Sequence, residues 1–278
     1  MIPESPSSRS PRYEAVAKHT EFVMGTAVTF DVIADGRESF TERATSAIDR
    51  ATQWLHWVNH TFTTYDDASF VSRFSRGDVS LDECPREVAY IVEECDRYHD
   101  MTDGWFDAWA GPGGRFDPSG LVKGWATQRA SEILRDAGFI RHCLNAGGDV
   151  VVRGPGPIAG TPSWGVGVAH PIVADALCAV IAVQDECVAS SGIAERGLHV
   201  WRRDGTPATD LALVTVIATD LGWADAVATA ALARGSGAIE WLCALEVDAY
   251  VVDVAGDEWA TSGFQDRRLW PPASSGTS

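Results

Sequence analysis

A glycine turn that leads into a helix is the first candidate for chemistry in this chain. Residues 118–120 interrupt regular structure because they are a proline, a serine and a glycine, and a helical apolar spacing follows from residue 121. The free backbone N–H groups and the helix dipole would favour a phosphate there, and Lys123 would add a positive charge. A second glycine turn, residues 146–149, ends in Asp149. The pattern predicts an anion-binding turn; the alternative is an ordinary capped surface helix.

An alanine-rich segment, residues 222–234, offers a carboxylate and a hydroxyl at helical spacing. Asp225 and Thr229 are four residues apart, so both project from one face of a helix, one turn apart. Magnesium prefers oxygen ligands, keeps several waters and often completes its shell with substrate phosphate, so this pair and one carbonyl would suffice. The alternative is an aspartate stabilised by the helix dipole and a threonine that bonds back to its own helix.

Two further segments place aromatic residues beside acidic ones. Tyr65 follows a predicted helix, and its ring could stack on a planar ligand or belong to the core. The Trp-Phe-Asp run at residues 105–107 follows a glycine turn and suits the lining of a flat pocket, although core packing explains its aromatic rings equally well. The isolated histidines His170 and His199 are structural residues when taken alone.

Strands and helices follow one another along the chain and must position these residues. Helical spacing predicts helices over residues 40–58, 88–101, from 121, 222–234 and 239–245. Alternation predicts strands over residues 22–33, 143–144, 150–152, 165–169, 178–183, 211–218 and 248–254. Gly25 is expected to bend the first strand. Long helices between strands indicate a mixed α/β or α+β fold.

Charge and composition restrict the partners. The chain has 22 basic and 39 acidic residues and a net charge of −17, which disfavours nucleic acid as a partner. The sequence shows neither a signal peptide pattern nor an apolar run long enough to span a membrane. The protein is therefore expected to be cytoplasmic and not to insert into a membrane. The six cysteines lack paired metal spacing and are expected to be buried free thiols.

The domain organisation expected from the 278 residues is simple. Residues 1–20 and 271–278 are expected to be disordered tails, since serine and proline are frequent near both ends. Residues 21–270 show no clear linker and are expected to form a single domain.

The candidate segments occur in an order that resembles a known family. They read FVMGTAVTFDV, FTTYDDASFVSRFS, TDGWFD, FDPSGLVKGWATQRA, LNAGGDVVVRG, VASSG and LVTVIATDLGWADAVATAALARG. Together they resemble the FAD:protein FMN transferase family of the ApbE type over nearly all of residues 21–235. The resemblance implies a compact α+β fold with mixed sheets and packed helices, and an FAD site in the cleft between two lobes.

The resemblance also implies an activity and its residues. Such an enzyme splits FAD at the pyrophosphate and transfers FMN, through a phosphoester, to a threonine of an acceptor protein with the help of Mg²⁺. Asp225, Thr229 and the Gly120 carbonyl match the metal-binding positions, and Asp225 and Lys123 are the expected catalytic residues. The flavin-contacting positions match Met24, Tyr65, Trp105, Phe106 and Asp107, and further FAD contacts match Asp117, Lys123 and Trp201. The general base is not identified; Asp225 and Asp149 are candidates by proximity only.

The segment GLHVWRRDGTPATD departs from the family pattern. The family typically has His-Ile-Ile-Asp-Pro there; His199 is retained, whereas Arg202 replaces the aspartate. This difference puts transfer efficiency or flavin specificity in question. Two alternatives therefore stand beside transfer: an FAD pyrophosphatase that releases FMN and AMP, and an FAD-binding protein without catalysis.

Overall fold

The computed structural model describes residues 14–158, 161–193 and 200–270. Its strands are β1 Val16–Val23, β2 Thr26–Ile33, β3 His142–Ala146, β4 Asp149–Arg153, β5 Trp164–Ala169, β6 Leu177–Val183, β7 Cys187–Gly192, β8 Leu211–Ala218, β9 Asp248–Asp253, β10 Glu258–Ala260 and β11 Arg268–Trp270. Its helices are α1 Phe40–Phe62, α2 Phe70–Ser75, α3 Arg86–Met101, α4 Ser119–Asp136, α5 Leu221–Arg234, α6 Ala238–Ala244 and α7 Ser262–Asp266. The predicted α+β class is confirmed.

The strands form two sheets. The larger has eight strands in the order β1-β2-β3-β4-β7-β8-β9-β10, and the smaller has the order β11-β6-β5. Every pairing between these strands is antiparallel. The expectation of mixed sheets was therefore wrong. Antiparallel neighbours can be joined by short hairpins, so the long helices need not be crossovers between parallel strands.

Both faces of the large sheet are buried, each in its own hydrophobic core. In β8, Val214 and Val216 point to the core shared with the helices, and Leu213 and Ile217 point to the core shared with the small sheet. This follows from the two-residue period of a strand. The longer helices thus cover one face of the large sheet, and the small sheet and Phe264 of α7 cover the other.

Two tight hairpins correct the strand predictions. The predicted strand 22–33 is two strands, joined at Met24 and Gly25, whose φ angles are 54° and 74°. The second hairpin joins β3 to β4 through Gly147 and Gly148 (φ 57° and 92°). Two-residue hairpins favour positive φ at both positions because the turn then matches the strand twist. Gly25 therefore ends one strand rather than bending it.

Other boundaries also differ from the sequence predictions. Strand β1 begins at Val16, inside the range 1–20 expected to be a tail. Strand β7 and the short elements α2, α7, β10 and β11 were not predicted. Residues 1–13, the C-terminal range 271–278 and His199 lie outside the described residues. Within the described part of the chain, no helix combines the length and apolar character needed to span a membrane.

Candidate active site

Two adjoining cavities lie on the helical side of the large sheet. The first, called here the polar cavity, measures about 310 Å³ and is lined by residues of the α1–α2 and α3–α4 connections, β7, α4 and α5. The second, the apolar cavity, measures about 280 Å³ and is lined by the β1–β2 hairpin and the end of α1. Their linings share Thr64, Asp117, Ser119 and Lys123. No residue of the small sheet lines either cavity, so they do not lie between the two hydrophobic cores.

Close contact between α4 and α5 forms the floor of the polar cavity. A Cβ added at Gly124 would lie 2.7 Å from the Leu221 carbonyl oxygen, and one at Gly120 would lie 3.1 Å from Thr229 Oγ1. Glycines four residues apart lie on one helix face, so α4 presents a smooth strip to α5. The antiparallel approach of the helices places Gly120 beside Thr229 and Gly124 beside Asp225.

Asp225 and Thr229 both line the polar cavity, as their spacing predicted. Asp225 is buried, and the Thr229 hydroxyl lies 3.1 Å from the hydroxyl of Ser191 on β7. Gly120 also lines the cavity. The structure thus brings together the three residues expected to bind a metal.

Lys123 does not carry a free charge into the cavity. Its Nζ atom lies 2.7 Å from Asp149 Oδ2, in a pair whose side chains are 10% and 0% exposed. Its ammonium group also donates to the Ala146 carbonyl oxygen at 3.4 Å. The second glycine turn therefore supplies the partner of Lys123, because Ala146 and Asp149 flank the turn. Asp149 is fully buried in this pair and does not line the polar cavity, so its role as a general base stays a prediction.

The α4 N-terminus is partly satisfied from within the chain. Helix α4 begins at Ser119, two residues before the predicted start. The Ser119 N–H donates to Asp117 Oδ1 at 3.0 Å. Asp117 thus caps the turn and lines both cavities. The expected attraction of this helix end for an anion is reduced by that carboxylate.

Met24 and Tyr65 lie together in the apolar cavity. Met24 is at the tip of the β1–β2 hairpin, and Tyr65 is 99% exposed in the α1–α2 connection. Val58, Phe62 and Val122 complete the apolar wall. An exposed aromatic ring beside an apolar wall is suited to covering a flat ring system.

The 105–107 run lines the polar cavity instead. Phe106 is 3% exposed and packs under Gly120, so it serves the core as well as the cavity. Asp107 Oδ1 accepts the Trp109 N–H at 2.8 Å. The Trp105 ring lies against two guanidinium groups, those of Arg203 at 4.4 Å and Arg234 at 5.3 Å. The residues expected to contact flavin are therefore divided between the two cavities.

Trp201 lines the polar cavity, whereas its neighbour Arg202 does not. Arg202 Nη2 lies 2.7 Å from Asp210 Oδ1, and this pair packs on Gly235 at the end of α5. Trp201 also forms an isolated antiparallel bridge with Pro207. Arg202 thus links the segment of the Trp201–Pro207 bridge to the end of α5.

The comparisons with known proteins agree with this geometry. The model of the ApbE family matches residues 24–116 and 108–251, which together span most of the chain. The chain belongs to the ApbE family. A comparison with curated proteins finds no match.

Solved ApbE structures share the fold. The ApbE protein from Thermotoga maritima has a TM-score of 0.77 and 21% identity, over 91% of this chain and 99% of that chain. The flavin transferase ApbE from Vibrio cholerae gives 0.76 and 18%, over 91% and 99%. The apo flavinyl transferase ApbE from Pseudomonas stutzeri gives 0.76 and 19%, over 92% and 97%.

The sequence interpretation of this ApbE chain missed several cavity residues. Ser190 and Ser191 line the polar cavity from β7, and Ser190 N–H donates to Asp149 Oδ1 at 3.3 Å. Both belong to the VASSG segment, which was used for the resemblance but given no role. Arg76 and Arg115 also line this cavity. Nothing in their sequence spacing marks them as site residues.

The oxygen donors of the polar cavity fit a hard cation. Among residues 14–158, 161–193 and 200–270, no group of three or more His, Cys, Asp or Glu side chains is placed to hold a metal. The set that converges at the contact between α4 and α5 is instead one carboxylate (Asp225), one hydroxyl (Thr229) and the backbone at Gly120. Mg²⁺ is commonly bound by one or two carboxylates with water and substrate phosphates, so this set is sufficient for it.

Proposed function

We propose that this protein is a magnesium-dependent FAD:protein FMN transferase that attaches FMN to a threonine of an acceptor protein. One observation carries the proposal: in a chain of the ApbE family, Asp225, Thr229 and Gly120 converge in a polar cavity that adjoins an apolar one. FAD has a flat flavin ring, a charged pyrophosphate and an adenosine, in that order. The apolar cavity suits the flavin ring, and the adjoining polar cavity suits the charged and polar remainder.

The lining residues indicate where each part of FAD would lie. The flavin ring would enter the apolar cavity between Met24 and Tyr65. The pyrophosphate would lie across the shared wall, near Ser119 and Lys123, and the adenosine half would extend into the polar cavity towards Trp201. A largely apolar pocket with a few placed polar groups is typical of cofactor-sized ligands.

The reaction requires a nucleophile, a leaving group and charge stabilisation. The acceptor threonine oxygen forms a bond to the FMN-side phosphorus, the bond from that phosphorus to the bridging oxygen breaks, and AMP leaves. A bound Mg²⁺ would neutralise charge on the phosphoryl oxygens. Asp225 and Thr229 would hold it with the Gly120 carbonyl, and the Lys123–Asp149 pair would keep the α4 N-terminus in place. The threonine proton passes to a base, and no side chain is assigned that role.

Mass spectrometry tests the proposal directly. The protein is incubated with FAD, Mg²⁺ and a peptide carrying the acceptor threonine motif, and Asp225→Ala, Thr229→Val and an exposed control, Asp49→Ala, are treated in parallel. A peptide that gains the mass of FMN with the wild type and control, but not with Asp225→Ala, supports transfer. EDTA is expected to stop the reaction.

Other outcomes separate the alternatives. AMP and FMN release without peptide modification would indicate a pyrophosphatase, and FAD left intact in every sample would refute the enzymatic proposal. The acceptor protein and a cytoplasmic location stay predictions.

A further inference from the structure

The charges that line the polar cavity do not favour an anion as they stand. Four aspartates and three basic side chains contribute to its wall. Two of the three bases are already neutralised: Lys123 by the buried Asp149 at 2.7 Å, and Arg76 by Asp78 at 2.8 Å. The third base, Arg115, is different.

Arg115 lies beside an anchored part of the backbone, and no described residue neutralises its charge. Within the part of the chain that the structure describes, its exposed guanidinium has no hydrogen-bond or ion-pair partner. It follows Gly113 and Gly114, whose φ angles are 79° and 60°. The next residue, Phe116, is 2% exposed, and its N–H donates to Ser75 Oγ at 2.8 Å. The backbone beside Arg115 is therefore anchored.

We propose that Arg115 binds the AMP-side phosphate of FAD, an inference that rests on the proposed function. Arg115 lines the polar cavity and not the apolar one, so it lies on the side expected to receive the adenosine half. A guanidinium can donate two parallel hydrogen bonds to a phosphate. That phosphate becomes the charged end of AMP when the pyrophosphate bond breaks. Arg115 would therefore stabilise the leaving group and select FAD over riboflavin, which lacks the phosphate.

Binding measurements with three ligands test the inference. Affinities for FAD, ADP and riboflavin are measured for the wild type, Arg115→Gln, Arg115→Lys and the matched control Arg86→Gln, whose side chain is 93% exposed outside both cavities. Arg115→Gln should weaken FAD and ADP by about tenfold, the scale of one charge-assisted hydrogen bond, and leave riboflavin unchanged. Arg115→Lys should recover part of the loss. Arg86→Gln makes the same change in net charge and should have no effect.

The results distinguish this inference from the proposed function. If the wild type binds FAD and Arg115→Gln binds it equally well, the inference is wrong and the proposed function stands. An equal loss of riboflavin affinity would also overturn it, since that would show a distorted loop. If the wild type binds no FAD, the proposed function fails and the inference fails with it.

Discussion

Gly124→Ala tests whether the contact between α4 and α5 builds the site. In an exposed helix, alanine is about 1 kcal/mol more favourable than glycine. At Gly124, however, the new Cβ would lie 2.7 Å from the Leu221 carbonyl oxygen and 3.2 Å from Asp225 Cβ, whereas ordinary contacts begin at 3.4 Å. The 2.7 Å contact is to backbone, which cannot rotate away as a side chain can, so α5 must move.

The expected magnitude follows from these opposing effects. Overpacking costs about 1–3 kcal/mol, and a backbone clash belongs at the upper end of that range. Subtracting the gain in helix propensity leaves a net loss of about 2 kcal/mol in the free energy of unfolding. For a domain of this size, about 2–4 °C in Tm corresponds to 1 kcal/mol, so Tm should fall by about 4–8 °C. Because Asp225 moves with α5, FMN transfer should fall too.

Thermal unfolding and the peptide assay check this prediction together. The control is Gly237→Ala, where the Cβ would lie 3.5 Å from Arg234 Nε and φ is −79°, so both stability and transfer should stay near wild type. A Gly124→Ala protein as stable as the wild type, or more stable, would refute the packing argument. Normal transfer in a destabilised variant would show that the contact supports the fold but not the site.

Three further predictions concern buried groups. Asp149→Asn should reduce the free energy of unfolding by about 3–5 kcal/mol in urea titrations, because the buried charge of Lys123 loses the carboxylate of its ion pair. Lys123→Met combined with Asp149→Asn should recover much of that loss. Burial lowers the pKa of His142 to about 4, so the unfolded chain binds more protons than the folded protein below about pH 6.5. His142 should therefore lower the free energy of unfolding by about 1.4 kcal/mol per pH unit between pH 6.5 and pH 4. Urea titrations at several pH values should show that His142→Gln lacks this contribution. Iodoacetamide should modify the exposed Cys243 before Cys143 and Cys187, since burial raises the pKa of those thiols to about 12 and about 11; mass mapping of the alkylated chain would show the order.

The helices were predicted more accurately than the strands. The apolar spacing of α1 reflects burial of one helix face, which the sequence records directly. Helix α5 is buried on nearly all sides, and its run of alanines, which favour helix, indicates it instead. Strand pairing depends on neighbours distant in the chain, so the antiparallel order of the sheets was not recoverable from periodicity. Of the six cysteines expected to be buried, Cys95, Cys178 and Cys187 are, whereas Cys243 is exposed.

The candidate site shows where local patterns stop being informative. Asp225 and Thr229 could be paired from sequence because helix geometry alone places them on one face. The partner of Lys123 could not, since Asp149 lies on a separate hairpin and reaches Lys123 only because β4 packs beneath α4. That pairing changes the electrostatic argument: the lysine that seemed to supply positive charge for a phosphate is neutralised. Among the described residues that line the polar cavity, Arg115 is the basic side chain without an ion-pair partner, and no motif identified it. Whether FAD binding depends on Arg115 therefore tests this balance of charges.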